Sequence, residues 1–117
     1  MYDKDIGYLS AILDSIIRIN KYTSDIWDGI QLNENELVFD AVLMNFINIG
    51  ESVTKTSQLL KDDNRHINWT DIKSFRNLVA HDYFGVNAEE VWQIIKNDVP
   101  KLETEITQIL KSKVKPK

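Results

Sequence analysis

The amino-acid sequence predicts an all-α protein, an antiparallel bundle of four or five helices. Apolar residues recur in steps of three and four nearly throughout the chain, and no stretch alternates apolar and polar residues as a half-buried strand would. The 117 residues include no cysteine, so neither a disulfide nor a zinc–thiolate site can stand in for a hydrophobic core. A chain of this length can bury such a core, and we expect one domain spanning residues 1–117.

The first predicted helix carries a single apolar stripe close to the start of the chain. The members of this stripe are Ile6, Leu9, Leu13, Ile16 and Ile19. Asp3 is a candidate N-cap, because a carboxylate can accept hydrogen bonds from the free backbone N–H groups of a helix start. We expect the helix to end between Tyr22 and Trp27, before Gly29.

The second predicted helix has its own stripe and runs to about Leu60. The stripe consists of Phe39, Val42, Phe46, Ile49 and Val53. Asn33 or Asn35 can cap its start. Further apolar residues lie off this stripe and predict burial on more than one side of the helix; they are Leu37, Met44 and Ile47. Gly50, inside the pattern, predicts the close approach of another backbone.

Two more helices complete the predicted bundle. Residues 61–68 are polar and predict a loop, after which Thr70 or Asp71 can cap a third helix. Asn87 can cap a fourth helix, which Pro100 should kink or restart because proline lacks a backbone N–H. Aromatic residues within or beside these apolar patterns are predicted to lie in the core rather than to stack on bases; they are Trp69, Phe75 and Trp92.

Composition argues against several classes of function. A formal net charge of −4 argues against a protein whose whole surface binds nucleic acid, although a local basic patch can still bind phosphate. Residues 110–117 are basic and predict a frayed tail, or alternatively a few added phosphate contacts. No stretch approaches the roughly 20 apolar residues of a membrane span, and the polar residues 1–5 are not a secretory signal. The lack of cysteine fits the cytoplasm, where we expect the protein to act.

The segment Arg76-Asn77-Leu78-Val79-Ala80-His81-Asp82-Tyr83 combines side chains that could act on a phosphodiester without a metal. Arginine is a permanent cation whose planar fork suits phosphate oxygens, and a neutral histidine can accept a proton. His81 could take the proton of a ribose 2′-hydroxyl while Arg76 stabilises the charge that grows on the phosphoryl oxygens. Asn77 could hold an oxygen and Tyr83 could position the phosphate. DNA lacks that hydroxyl, so this chemistry would select RNA.

Helix geometry separates these side chains. Each residue turns about 100°, so Arg76 and Tyr83 share a face, whereas His81 lies about 140° round the helix from Arg76. Either the helix loosens near Gly85 so that His81 swings round, or a second copy of the chain supplies one group across a two-fold axis. By spacing alone, an arginine and a histidine on one helix more often pair with carboxylates and solvent.

Glu51 directly follows Gly50 at the end of a strongly apolar run. It is either a carboxylate on the helix surface or the partner of Arg76, since an acid near a buried face needs a partner. His66, beside Arg65 in the predicted loop, is assigned no role. No His, Asp and Glu cluster has metal-ligand spacing, and no glycine-rich phosphate loop is present, so we expect neither a metal nor a cofactor.

The chain resembles the HepT-like toxins of the HEPN (higher eukaryotes and prokaryotes nucleotide-binding) superfamily. The resemblance covers most of residues 37–110, and its segments follow the family's order: residues 48–51, 67–72, 75–83, 86–92 and 99–102. The Arg-x4-His element alone is a weak signal. Followed by x-Tyr and flanked by the Gly-Glu and Trp segments, it is a strong signal.

This resemblance implies a metal-independent endoribonuclease in which Arg76 and His81 match the family's catalytic pair. The candidate supporting residues are Asn77, Glu51 and Asp82. It also implies a homodimer with the motifs near the interface, acting in a type VII toxin–antitoxin system whose antitoxin is a minimal nucleotidyltransferase, MntA. In the family that partner transfers AMP onto the motif tyrosine, here Tyr83, where added charge and bulk would exclude an RNA phosphate. The alternative function is a non-catalytic helical partner that binds and regulates a nucleotidyltransferase.

Overall fold

The computed structural model describes residues 3–81 and 87–114, and these residues form helices with no strand among them. The helices in chain order are α1 (Asp3–Tyr22), α2 (Gly29–Glu34), α3 (Glu36–Lys55), α4 (Gln58–Asp63), α5 (Trp69–His81), α6 (Ala88–Gln93) and α7 (Val99–Val114). A π-helical turn, Ile94–Asp98, joins α6 to α7 without a break. The predicted all-α class is confirmed, with four long helices (α1, α3, α5 and α6–α7) and two short ones in the described chain.

The long helices α1 and α5 both pack against α3. The Asp5 carboxylate, near the start of α1, accepts hydrogen bonds from the Ser57 backbone N–H at 2.8 Å and the Ser57 hydroxyl at 2.6 Å, just after α3 ends. Val53, near the end of α3, lines one hollow together with Trp69 and Lys73 near the start of α5. Both pairs of helices are therefore antiparallel, as predicted.

The core is one continuous cluster to which every long helix contributes. Fully buried members include Leu9, Ile12, Ile16, Ile19, Val42, Phe46, Ile49, Val91, Val99 and Ile106. Phe46 and Phe75 join α3 to α5, with ring centroids 5.2 Å apart and planes tilted by 30°. The predicted core aromatics are all buried, so their apolar surface contributes to stability.

Helix α3 ends before Thr56, whereas the apolar pattern predicted an end at Leu60. Thr56 is extended, with φ −65° and ψ 139°, and the Ser57 hydroxyl then caps α4 by accepting a hydrogen bond from the Leu60 N–H at 3.1 Å. Asp5 of α1 holds Ser57 in this position. As a further consequence, residues 61–63 are helical and not part of a loop, which corrects the sequence prediction.

The helix caps confirm two predictions and correct a third. Asn35 caps α3 and Asn87 caps α6, each accepting hydrogen bonds from backbone N–H groups of the first turn. Helix α5 is capped by Asn68 and not by Thr70 or Asp71. The Asn68 side-chain oxygen accepts a hydrogen bond from the Asp71 N–H at 3.1 Å, and the Asp71 carboxylate accepts one from the Asn68 amide at 2.7 Å.

The short helix α2 was not predicted. Asp28 caps it by accepting a hydrogen bond from the Gln31 N–H at 2.8 Å. Helix α2 packs against α6, and a Cβ on Gly29 would collide with the backbone and carboxylate of Glu89. The absence of a side chain at Gly29 thus lets α2 lie directly against the start of α6.

The last helix changes from α- to π-helical geometry just before the proline that was expected to disturb it. Pro100 has no N–H to donate one turn back, and the π turn Ile94–Asp98 lies directly before it. Helix α7 then continues to Val114, so residues 110–114 of the predicted tail are helical, and Leu110 packs against the core. Residues 115–117 lie outside the described residues.

Helix α3 exposes two apolar side chains, Leu37 and Met44, so the predicted burial on a further side of the helix is wrong for both. Leu37 is 82% exposed and Met44 58%, whereas Ile47 is partly buried against the core. By length and composition α3 is apolar enough to cross a membrane, with a mean hydropathy of 1.3. The prediction from the sequence, that no stretch approaches the length of a membrane span, therefore underestimated the apolar length of this helix. No other described helix is long and apolar enough to cross a membrane. The central helix of a soluble bundle has the same length and composition, and α3 packs between α1 and α5.

Candidate active site

Arg76 lies in the middle of α5, where that helix closely approaches α3. A Cβ on Gly50 would collide with the Arg76 Cβ and come within 3.1 Å of the Arg76 backbone nitrogen. The close backbone approach predicted from Gly50 is confirmed, and its partner is the backbone of Arg76. The helix contact therefore fixes the point from which the arginine side chain extends.

Arg76 forms an ion pair with Glu51, the neighbour of Gly50. The Arg76 Nε donates a hydrogen bond to Glu51 Oε1 at 2.5 Å, and the two side chains are 43% and 42% exposed. The sequence left open whether Glu51 is a surface carboxylate or the partner of Arg76, and in the structure it is the partner of Arg76. A half-exposed pair adds little to stability, so its main consequence is to orient the guanidinium. No hydrogen bond joins either Nη group to another described residue, and both can bind an oxyanion.

Asn77 faces a different part of the bundle from Arg76. It is exposed and lines an open hollow between α5 and the last helix, together with the carboxylate side chains of Asp71, Glu90 and Asp98. These three carboxylates disfavour phosphate there. Among the described residues, no group of His, Cys, Asp and Glu could hold a metal ion.

His81 is the last described residue of α5, and its side chain lies outside the described part of the structure, as do Asp82 and Tyr83 entirely. The backbone is α-helical through His81, so position 81 lies about 140° round the helix axis from position 76. The described helix does not loosen before His81. The structure thus brings Glu51 to Arg76, and places Asn77 apart from both.

An exposed stripe on α3 leads to the Glu51–Arg76 pair. Leu37, Met44 and Glu51 are spaced seven residues apart, which places them on one face of the helix. The two apolar members are among the most exposed large hydrophobic side chains described. We call Leu37 and Met44 the α3 stripe.

A second hollow, lined by residues from the end of α3, from α4 and from the start of α5, was missed by sequence reasoning. Its lining includes Lys61, Arg65, His66 and Lys73. The sequence treated the first three as part of a polar loop and gave His66 no role. Basic residues stand at positions 61, 65 and 73, which are separated by multiples of four. This spacing is the signal in the sequence that could have revealed the hollow.

The family model described as Ribonuclease HepT-like matches residues 12–109. A gamma-glutamylcyclotransferase from Methanocaldococcus jannaschii, also provisionally named an RNase, is 32% identical to the chain over 108 residues. That match covers 92% of this chain but 48% of the relative, so the chain spans about half the length of that protein.

Two other relatives match along nearly their whole length. A second M. jannaschii protein, provisionally named an RNase, is 30% identical over 112 residues, which are 95% of this chain and 96% of the relative. A probable ribonuclease HepT from Thermococcus cleftensis is 28% identical, covering 89% of this chain and 94% of the relative. No solved structure gave a significant match.

Proposed function

Because the chain belongs to the ribonuclease HepT-like family, we propose that it is a metal-independent endoribonuclease, the toxin of a type VII toxin–antitoxin system. Family membership and the names of the relatives support ribonuclease activity. The structural observation that carries the proposal is the oriented guanidinium of Arg76. Glu51 holds its Nε, and both Nη groups remain able to bind phosphate oxygens at the start of the Arg-x4-His-x-Tyr motif.

In the proposed reaction a ribose 2′-hydroxyl attacks the adjacent phosphorus. His81 accepts the hydroxyl proton, the bond from the 2′-oxygen to phosphorus forms, and the bond from phosphorus to the 5′-oxygen breaks. The leaving 5′-oxygen takes a proton from the imidazolium or from water, so the products carry a 2′,3′-cyclic phosphate and a 5′-hydroxyl. Arg76 stabilises the negative charge on the non-bridging oxygens, which is largest in the transition state.

We propose that two copies of the chain complete each site. The α3 stripe is apolar and exposed, and it lies in seven-residue register with Glu51. A second copy that covers Leu37 and Met44 would remove apolar surface from water and lie beside the Glu51–Arg76 pair. His81 of the second copy would then act on the phosphate that Arg76 of the first copy binds. The two residues of one site come from different copies, so their separation of about 140° around α5 is no obstacle.

Tyr83 is the proposed point at which the activity is switched off. A cognate MntA-type nucleotidyltransferase would join the phosphorus of AMP to the Tyr83 oxygen, with release of pyrophosphate from ATP. The added phosphate places negative charge two residues from His81, where it repels the RNA backbone. The cytoplasm is the proposed location, because RNA and ATP are both present there.

We expect incubation with the cognate nucleotidyltransferase and ATP to raise the intact mass by whole AMP units while RNA cleavage falls in parallel. Tyr83→Phe keeps the ring and lacks the acceptor oxygen, so its mass should not change. Tyr22→Phe, which alters an exposed tyrosine of α1, is the matched control and should be modified like the wild type. No mass gain, or a gain that survives Tyr83→Phe, would contradict the proposed switch.

A further inference from the structure

An open hollow of about 600 Å³ lies between the end of α3, α4 and the start of α5. We call it the cationic hollow, because its charged and titratable lining residues are Lys61, Arg65, His66 and Lys73, with one carboxylate, Asp62. Leaving His66 neutral, these residues carry a net charge of +2, in a protein whose formal charge is −4. The positive charge is thus concentrated locally.

None of the three cations forms a salt bridge with a described side chain. Asp62 accepts a hydrogen bond from the Gln58 amide at 2.9 Å. Within residues 3–81 and 87–114, the recorded ion pairs lie on α1 and between α3 and α5, and none involves Lys61, Arg65 or Lys73. Three cations that share one hollow without ion-pair partners repel one another, and an anion would relieve that repulsion.

The pKa of Lys61 indicates that its surroundings disfavour its positive charge. Burial lowers the pKa of Lys61, and the positive charge of Lys73 lowers it further. The Asp5 carboxylate acts in the opposite direction and raises the pKa of Lys61, but its effect is smaller than that of burial and of Lys73. A bound anion would favour the charged form of Lys61.

The cationic hollow adjoins the candidate active site along α5. Lys73 comes one turn before Arg76, so these two positions are separated by about 4.5 Å along the helix axis. On α3, Gly50 meets Arg76, and Val53, about one turn later, lines the hollow. A strand whose reacting phosphate lies at Arg76 would reach the hollow about one helical turn back along α5.

We infer that the cationic hollow binds the RNA backbone, holding a phosphate next to the one that Arg76 contacts. This inference rests on the proposed ribonuclease function, because it assigns a second binding position to the same substrate. Lys61, Arg65 and Lys73 supply the positive charge, and single-stranded RNA supplies a regular series of phosphates that matches it.

Two of the groups in the hollow that could read a base, Trp69 and Asn68, are already engaged within the protein. Trp69 is 9% exposed, and its indole N–H donates a hydrogen bond to the Asn64 carbonyl at 3.1 Å, so the ring offers no stacking surface. The Asn68 side chain is bound to Asp71 through both its oxygen and its nitrogen. The charge of the lining cations is therefore the main feature by which the hollow would bind RNA.

The test compares two doubly substituted full-length proteins. Lys61→Gln with Lys73→Gln removes two positive charges from the hollow, and Lys21→Gln with Lys101→Gln removes two exposed charges from α1 and α7. We expect the hollow variant to bind a short single-stranded oligoribonucleotide at least about tenfold more weakly at low salt. Its slope of log affinity against log salt should fall by about 1.4, because each contact to a single strand contributes about 0.7. The control should match the wild type.

Cleavage of RNAs of two lengths distinguishes a binding position from a general structural effect. A dinucleotide has one phosphate and fills only the cleavage position, so the hollow variant should cleave it as the wild type does. On the longer oligoribonucleotide the same variant should show a raised KM with an unchanged kcat.

Equal affinities and equal salt slopes for the two variants would overturn the inference, as would equal losses on both RNA lengths. Binding of an acidic peptide but not of the oligoribonucleotide would assign the hollow to a protein partner and also overturn it. Binding is measured without turnover. A wild type that binds RNA through the hollow but cleaves none would therefore contradict the ribonuclease proposal and not the assignment of the hollow.

Discussion

Arg76→Ala and His81→Ala are each expected to slow RNA cleavage by a factor of about 100 or more. Loss of a group that stabilises the growing charge typically costs a factor of about 10² to 10³ in rate, and loss of a general base about 10² to 10⁴. The two groups act on the same step, so the double variant should be little worse than either single one. The measurement is the cleavage rate of a defined oligoribonucleotide by purified protein in which Tyr83 is unmodified.

Controls separate lost chemistry from lost folding. The Glu51–Arg76 pair is half exposed, and such pairs contribute roughly 0–1 kcal/mol, so Arg76→Ala should keep the helical circular dichroism of the wild type. Arg18→Ala removes an exposed arginine from its ion pair on α1 and should cleave normally. If unmodified wild-type protein leaves RNA uncut while both inactive variants bind the nucleotidyltransferase normally, the chain is instead a non-catalytic regulatory partner.

Mixing the two inactive variants is expected to restore cleavage. In a two-fold dimer whose sites each take Arg76 from one copy and His81 from the other, a mixed dimer contains one site with both groups intact. Random exchange of subunits makes half of the dimers mixed, so the mixture should recover about a quarter of the wild-type rate. The rate is followed after the two proteins have been allowed to exchange subunits.

The α3 stripe offers a matched pair of controls for this restoration. Leu37→Glu with Met44→Glu, added to both inactive chains, should prevent recovery by placing charge where the second copy is proposed to pack. Ile17→Glu with Leu59→Glu places the same charges at exposed apolar positions of α1 and α4 and should leave the recovery intact. Mixed dimers, shown by native mass spectrometry, that stay inactive would mean that each chain holds a complete site.

Local patterns in the sequence predict most of the fold, because each long helix carries its apolar stripe within its own residues. The exposed α3 stripe was misread, since periodicity reports which residues share a face but not whether another element covers that face. The end of α3 was also missed. It depends on Asp5 holding Ser57, a contact between residues 52 positions apart.

The sequence predicted the Glu51–Arg76 pair as one alternative, and it missed the cationic hollow. Gly50 and Glu51 stand together, and their partner Arg76 belongs to a recognisable motif, so the pairing could be anticipated as one of two alternatives. The cationic hollow draws its charges from α4, the segment after it and α5. Its existence depends on how those segments pack, which spacing alone does not reveal.

The chemistry of the RNA ends tests the proposed activity most directly. Wild-type protein with unmodified Tyr83 is incubated in excess chelator with an oligoribonucleotide and with DNA of the same sequence. The expected result is cleavage of the RNA alone, leaving 2′,3′-cyclic phosphate and 5′-hydroxyl ends, because the attacking group is the 2′-hydroxyl. Intact RNA in chelator, cleavage of the DNA, or 5′-phosphate ends that form only with added divalent ions would contradict a ribonuclease built on Arg76 and His81.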